Sequence, residues 1–144
     1  MLVIVRITQL ELLDQYFLLE ITSRNTVGQA ITVLMITLGS TGLGLRLEAM
    51  QLLVSHPKGT VTYRMHVQGQ GWQSWRQEGG VAGSQGSGLR SEAVQIKATK
   101  KLYVIYRAHV QGKGGLPWVR NGDVAGTTGQ ARRLEGIQVL LSYS

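Results

Sequence analysis

The chain repeats itself. Displaced by 43 residues, positions 60–98 fall on 103–141, and 17 of the 39 aligned pairs are identical without a gap. The shared frame reads V-x-Y-R-x-H-V-Q-G-x-G, then a Trp, then G-x-V-A-G-x-x-G, then R-x-E-x-x-Q. A third copy of the tail lies upstream, where residues 39–54 match 83–98 at 9 of 16 positions with a displacement of 44. The 144 residues therefore hold two full units and the end of a third. Units this short bury too little surface to be stable singly, so their cores must be completed by their neighbours.

Within a unit the hydrophobic period is two. Val61, Tyr63, Met65 and Val67 alternate with Thr62, Arg64 and His66, and Val104, Tyr106, Ala108 and Val110 repeat the pattern. That is the signature of a half-buried strand. Glycines at 69–71 and 112–115 break the run as turns should, and a second short strand carries the Trp. Gly79-Gly80 and Asn121-Gly122 suit hairpin turns, and the A-G-x-x-G segments at 82–86 and 125–129 read as loops. A last strand presents Met50/Leu52, Val94/Ile96 and Ile137/Val139 on one face. Residues 45–53 have helix-forming composition, but their counterparts are β-branched at spacing two, which favours a strand. Arg46/Glu48, Arg90/Glu92 and Arg133/Glu135 are then same-face neighbours, expected to form solvated ion pairs. The expected fold is all-β: one repeat domain over 1–144, with units at about 1–57, 58–100 and 101–144. Antiparallel units would sit around a pseudo-threefold axis, with a β-prism-like arrangement preferred and a β-trefoil the alternative.

The full frame, Y-R-x-H-V-Q-x-x-G-W-x-x-W-x-x-x-G-x-x-A-G-x-x-G-x-x-x-R-x-E-A, resembles the clostridial hydrophobic-W repeat. It stands here as Tyr63-Arg64, His66-Val67-Gln68, Gly71-Trp72, Trp75, Gly79, Ala82-Gly83, Gly86, Arg90 and Glu92-Ala93. The next copy has Tyr106-Arg107, His109-Val110-Gln111, Gly114, Trp118, Gly122, Ala125-Gly126, Gly129, Arg133 and Glu135. The resemblance implies a non-catalytic repeat of secreted and surface proteins of Gram-positive bacteria, often in threes beside enzyme or adhesion domains. It implies binding of glycans or other macromolecules outside the cell, with no particular ligand.

Two departures stand out. Gly115-Leu116-Pro117 replaces Trp72-Gln73-Ser74, so one Trp is missing from the last unit. The first unit loses the motif before Gly39, with 1 identity in 22 between residues 17–38 and 61–82. Reading residues 19–28 (LEITSRNTVG) one base earlier permits R-x-H-V-Q-x-x-G-W in order and at the spacing of the later copies. The expectation is that residues 1–38 are degenerate, wholly or largely a frameshifted version of a repeat, with a genuine diverged β segment the alternative; the coding DNA decides it.

Trp75 and Trp118 recur at one repeat position, and a recurring Trp in a β unit is expected in the core. A separation of three puts Trp72 and Trp75 on opposite faces of a regular strand. Trp72, absent from the last unit, is therefore the candidate for ligand contact. Gln68, Gln73 and Gln111 are the amide partners for sugar hydroxyls around it. Tyr63, His66, Tyr106 and His109 are expected to be structural, as are Trp75 and Trp118. His66 and His109 lack further metal ligands at close spacing, so no metal or other cofactor is expected.

Other classes are excluded or disfavoured. Zero Cys rules out a disulfide scaffold and a thiol nucleophile. The Gly-rich segments at 39–42 and 126–129 lack the Lys and the strand–loop–helix frame of a phosphate-binding loop, those at 69–71 and 112–115 are equally weak as nucleotide sites, and no G-x-S-x-G elbow is present. The acids recur structurally, with Glu48, Glu92 and Glu135 at one repeat position, and no pair is spaced for acid–base work. The chain is expected not to be an enzyme. Behind the net charge of +7, Arg46, Arg64, Arg90, Arg107 and Arg133 belong to the repeat frame and the other basic residues form no dense patch in sequence, so specific nucleic-acid binding is not expected. No apolar run suffices for membrane insertion, and residues 1–13 lack the marks of a signal peptide. The expected location is extracellular or at the cell surface, with the export signal outside this chain. The expected function is a binding module for glycan or cell-surface polymer. The rival is a protein–protein docking or adhesion repeat that attaches partner domains.

Overall fold

The computed structural model describes residues 4–6, 17–24, 30–39, 47, 49, 50, 52–55, 59–77, 79–84, 87–100 and 102–143. Among these the chain forms strands and turns and no helix. The first third contributes β1 (Ile4–Arg6), β2 (Phe17–Arg24), β3 (Ala30–Gly39), β4 (Ala49–Met50) and β5 (Leu53–Ser55). The middle unit contributes β6 (Val61–Val67), β7 (Gly71–Trp72), β8 (Ala82–Gly83) and β9 (Ser91–Ala98). The last unit contributes β10 (Leu102–Val110), β11 (Gly114–Gly115), β12 (Val119–Arg120), β13 (Ala125–Gly126) and β14 (Leu134–Tyr143). All pairings are antiparallel, and none of the sheets closes.

The two full units are built alike because their sequences alternate alike. β6 pairs with β9 from Val61 opposite Ala98 to Val67 opposite Ser91. β10 pairs with β14 from Leu102 opposite Tyr143 to Val110 opposite Leu134. Val61, Tyr63, Met65 and Val67 turn inward with Val94 and Ile96, and Val104, Tyr106, Ala108 and Val110 turn inward with Ile137, Val139 and Leu141. These side chains form one buried cluster joined by Leu47, Met50 and Leu52 from the first unit. The units thus complete one another's core, as their length requires.

The expected A-G-x-x-G loops are corrected at their first two residues. Ala82–Gly83 and Ala125–Gly126 are short strands, and each pairs with the preceding unit. Ala82 lies opposite Met50 and Gly83 opposite Ala49. Ala125 lies opposite Val94 and Gly126 opposite Ala93, one repeat later. Contact this close needs glycine: a Cβ on Gly126 would stand 2.5 Å from the Glu92 carbonyl oxygen, and its φ is +109°. The first unit makes the equivalent pairing at the other end of the chain, with Leu38 opposite Ile137 and Gly39 opposite Gly136. A backbone bond of 2.7 Å from the Leu47 amide to the Leu134 carbonyl also joins the first and last units.

The repeated tyrosines reinforce these joints. The buried Tyr63 hydroxyl accepts from the Leu52 amide at 2.9 Å and donates to the Gly80 carbonyl. Tyr106 donates to the Asp123 carbonyl, one repeat on. The Gly79 and Gly122 amides return to the Leu52 and Ile96 carbonyls at 2.9 and 2.8 Å. Residues 45–53, expected as one strand, contain Ala49–Met50 and the start of Leu53–Ser55. In the first unit Phe17–Arg24 and Ala30–Gly39 form a hairpin on the edge of β14.

Candidate functional site

The outward residues of each unit form the candidate face. On β6 these are Thr62, Arg64 and His66, opposite Lys97, Gln95 and Ala93 of β9. The following segment folds back over them. Trp72 lies opposite His66, and Arg76 bridges back to Tyr63. Four residue steps on this segment thus span three on β6, so it carries one extra residue. The extra residue removes the expected opposition of Trp72 and Trp75. Both rings meet the same guanidinium, with Arg64 Cζ 5.0 Å from the Trp72 ring centre and 4.6 Å from that of Trp75. Lys97 Nζ lies 4.1 Å from the Trp75 ring centre, and His66 meets Trp72 edge-on at 5.3 Å. Gln95 Oε1 accepts from Arg64 Nε at 2.8 Å and fixes the guanidinium plane.

The expected core placement of Trp75 and Trp118 is therefore corrected. Trp75 is half-buried and outside the core cluster, and Trp118 is 39% exposed. The core positions already belong to the alternate residues of the long strands, which leaves the indoles to cap the outer face. In the last unit Arg107 repeats the role of Arg64. Its Cζ lies 4.7 Å from the Trp118 ring centre, and its Nε donates to Gln138 Oε1 at 2.6 Å.

The Arg–Glu pairs also differ from expectation. Glu92 is an extra residue on β9, where His66 pairs with Ala93 and Val67 with Ser91. The residue is only 6% exposed, with Arg90 Nε at 3.0 Å from Oε1 and His66 Nδ1 at 3.1 Å from Oε2. The histidine contact is close but does not have hydrogen-bond geometry. Glu135 is the extra residue of the last unit and equally buried. Both glutamates are thus buried rather than solvated, and Glu92 lies against His66. Arg46 and Glu48 lie outside the described residues.

The amides separate. Gln73, expected to meet a ligand, is used internally: its Nε2 donates to the Gly83 carbonyl at 3.0 Å and its Oε1 accepts from the Gly83 amide at 2.8 Å. It ties the Trp segment to β8. Gln111 Oε1 accepts from the Arg133 amide at 3.5 Å, and the Gln111 backbone carbonyl accepts from Arg132 Nη1 at 2.9 Å. Gln68 and Gln111 open the turns after β6 and β10 and are half-buried. His66 and His109 are likewise half-buried on the outer face.

Sequence reasoning missed Arg64 and Arg107, the centres of both indole contacts. The signal was present: Arg recurs between Tyr and His, at an outward position of the alternation, with a Gln recurring 31 residues later.

A family model described as Clostridial hydrophobic W matches this chain twice, at residues 66–100 and 109–142. No curated protein and no solved structure matches the chain.

Proposed function

This chain carries two clostridial hydrophobic W repeats, and from that premise we propose that it is a non-catalytic binding module acting outside the cell on a glycan or other cell-surface polymer. Repeats of this family are typically found in cell-surface proteins. One observation carries the reading: Trp72, Trp75, Arg64 and Lys97 form a cationic, indole-bearing face that the core does not use. Indole faces stack on sugar C–H groups, while guanidinium and ammonium groups hold hydroxyls or acidic substituents. The proposed architecture is a prism-like ring of three units. Its support is that Leu38–Gly39, Ala82–Gly83 and Ala125–Gly126 pair at equivalent positions of three final strands.

A glycan array probed with the full chain tests the function. Retention on a polymer class, lost in Trp75→Ala and reduced by salt, is the expected result. Uniform silence would reject it. A second reading, a docking repeat for a partner protein, is favoured by the exposed Tyr103 and Ile105 on β10 and by Val124. Capture of one surface protein with the array silent would select that reading.

A further inference from the structure

The two full units differ at one place on the outer face, and the difference leaves a hollow. In the middle unit Trp72 stands opposite His66, and Ala93 flanks the same histidine. In the last unit Gly115 stands opposite His109, and Gly136 takes the place of Ala93. Two side chains have shrunk to hydrogen at one spot. A hollow of about 290 Å³ opens there, lined by Arg107, His109, Gly115, Gly136 and Gln138 among others. This is the small end of ligand sites, roughly 300 Å³ upward.

We propose that this hollow receives the indole of a tryptophan side chain presented by another polypeptide. The middle unit shows the docked arrangement within one chain. There the ring sits edge-on to the histidine and within 5.0 Å of the guanidinium carbon. The last unit keeps the guanidinium, the imidazole and the first indole of that arrangement. Arg107 is held by Gln138 as Arg64 is by Gln95, and it contacts Trp118 as Arg64 contacts Trp75. The second indole is missing, and Gly136 in place of Ala93 widens the space it leaves. The lining offers a guanidinium and an imidazole and no carboxylate, which favours an electron-rich ring over a cation. This inference is independent of the glycan reading, since it concerns the last unit and a protein partner.

The test is titration of the full chain with N-acetyltryptophanamide, following the imidazole signals of His109 and His66 by NMR. Saturable movement of His109 without movement of His66 is expected. Gly115→Trp should abolish it by supplying the ring internally. The site tolerates the change, because a Cβ on Gly115 meets nothing within 4 Å. Trp72→Gly should open the second hollow and make His66 respond as well. The proposal is overturned if His109 does not move up to the solubility limit of the probe. It is equally overturned if the response survives in Gly115→Trp with an unperturbed His66 signal, or if monosaccharides move His109 while the tryptophan amide does not. Should Trp72→Gly fail to fold, the Gly115→Trp result still decides.

Discussion

Trp75 is a large aromatic residue whose surroundings are cations rather than core. Its replacement by alanine should therefore cost the two cation contacts and part of a half-buried surface, about 1–2 kcal/mol, and not the ~3–5 kcal/mol of a cavity in the core. Trp118, more exposed and facing one cation, should cost about 1 kcal/mol or less. Urea denaturation of the two variants measures this, and losses above about 3 kcal/mol in both would return the indoles to the core. Tyr106 is the opposite case, a polar group fully enclosed. Burial pushes its hydroxyl up from 10.0 to about 12. The folded state therefore holds the proton more tightly than the unfolded chain. Stability from this group is complete below pH 10 and is lost as pH rises through 12, by roughly 2–3 kcal/mol at completion. Denaturation between pH 9 and 12 should show this loss, and Tyr106→Phe should remove that part of the slope. An unchanged slope in Tyr106→Phe would assign the alkaline loss to other groups.

At the scale of strands, the joints between units rest on two-residue pairings that glycine makes possible. Gly126→Ala should be severely destabilising, by more than about 3 kcal/mol, because its Cβ would collide with the Glu92 carbonyl and the Ala93 backbone. Gly129→Ala is the control: its φ is also positive, but a Cβ there meets nothing within 4 Å, so about 1 kcal/mol is expected. Thermal melts of the pair separate the joint from ordinary turn strain, and equal losses would show that the joint adds nothing. These joints explain what could be read in advance. The period of two in 61–67 and 104–110 marked the long strands, since inward apolar and outward polar residues leave a direct trace. Ala82–Gly83 and Ala125–Gly126 look like loops in sequence because a two-residue strand has no period, and its partner lies in another unit. The extra residues at Glu92 and between Trp72 and Arg76 were illegible for a related reason. One inserted residue looks like any other polar position in a sequence, yet it turns every following side chain to the other face. That single effect moved Trp75 to Arg64 and Glu92 beneath His66, and it accounts for most of the site that spacing alone misplaced.

For the whole molecule, the question is what the first third contributes once its motif is gone. Its Leu38–Gly39 pair with Ile137–Gly136 where the other units place Ala82–Gly83 and Ala125–Gly126. β3 extends this contact along β14 as far as Thr32 opposite Tyr143, and β2 lies outside it. β2 and β3 thus extend the sheet at the edge of the last unit, whatever the history of their coding sequence. Removing residues 1–39 would leave β14 with a long unpaired edge bearing alternate apolar residues from Leu134 to Leu141. An edge of that length and composition pairs with another chain when its cover is removed. The truncated chain of residues 40–144 should therefore melt at a lower temperature than the full chain and self-associate, as light scattering after size exclusion would show. A monomer with unchanged melting would mean that the hairpin is dispensable and that two units suffice. The frameshift expectation is tested separately by the codons for residues 19–28. Restoring the alternative frame should place an Arg, a His and a Trp at the positions held by Arg64, His66 and Trp72 one unit later. A restored chain that still pairs positions 38–39 with Ile137–Gly136, and melts above the present one, would identify the present hairpin as a substitute for a repeat. A restored chain no more stable than this one would show that the hairpin already completes the fold as well as a repeat would.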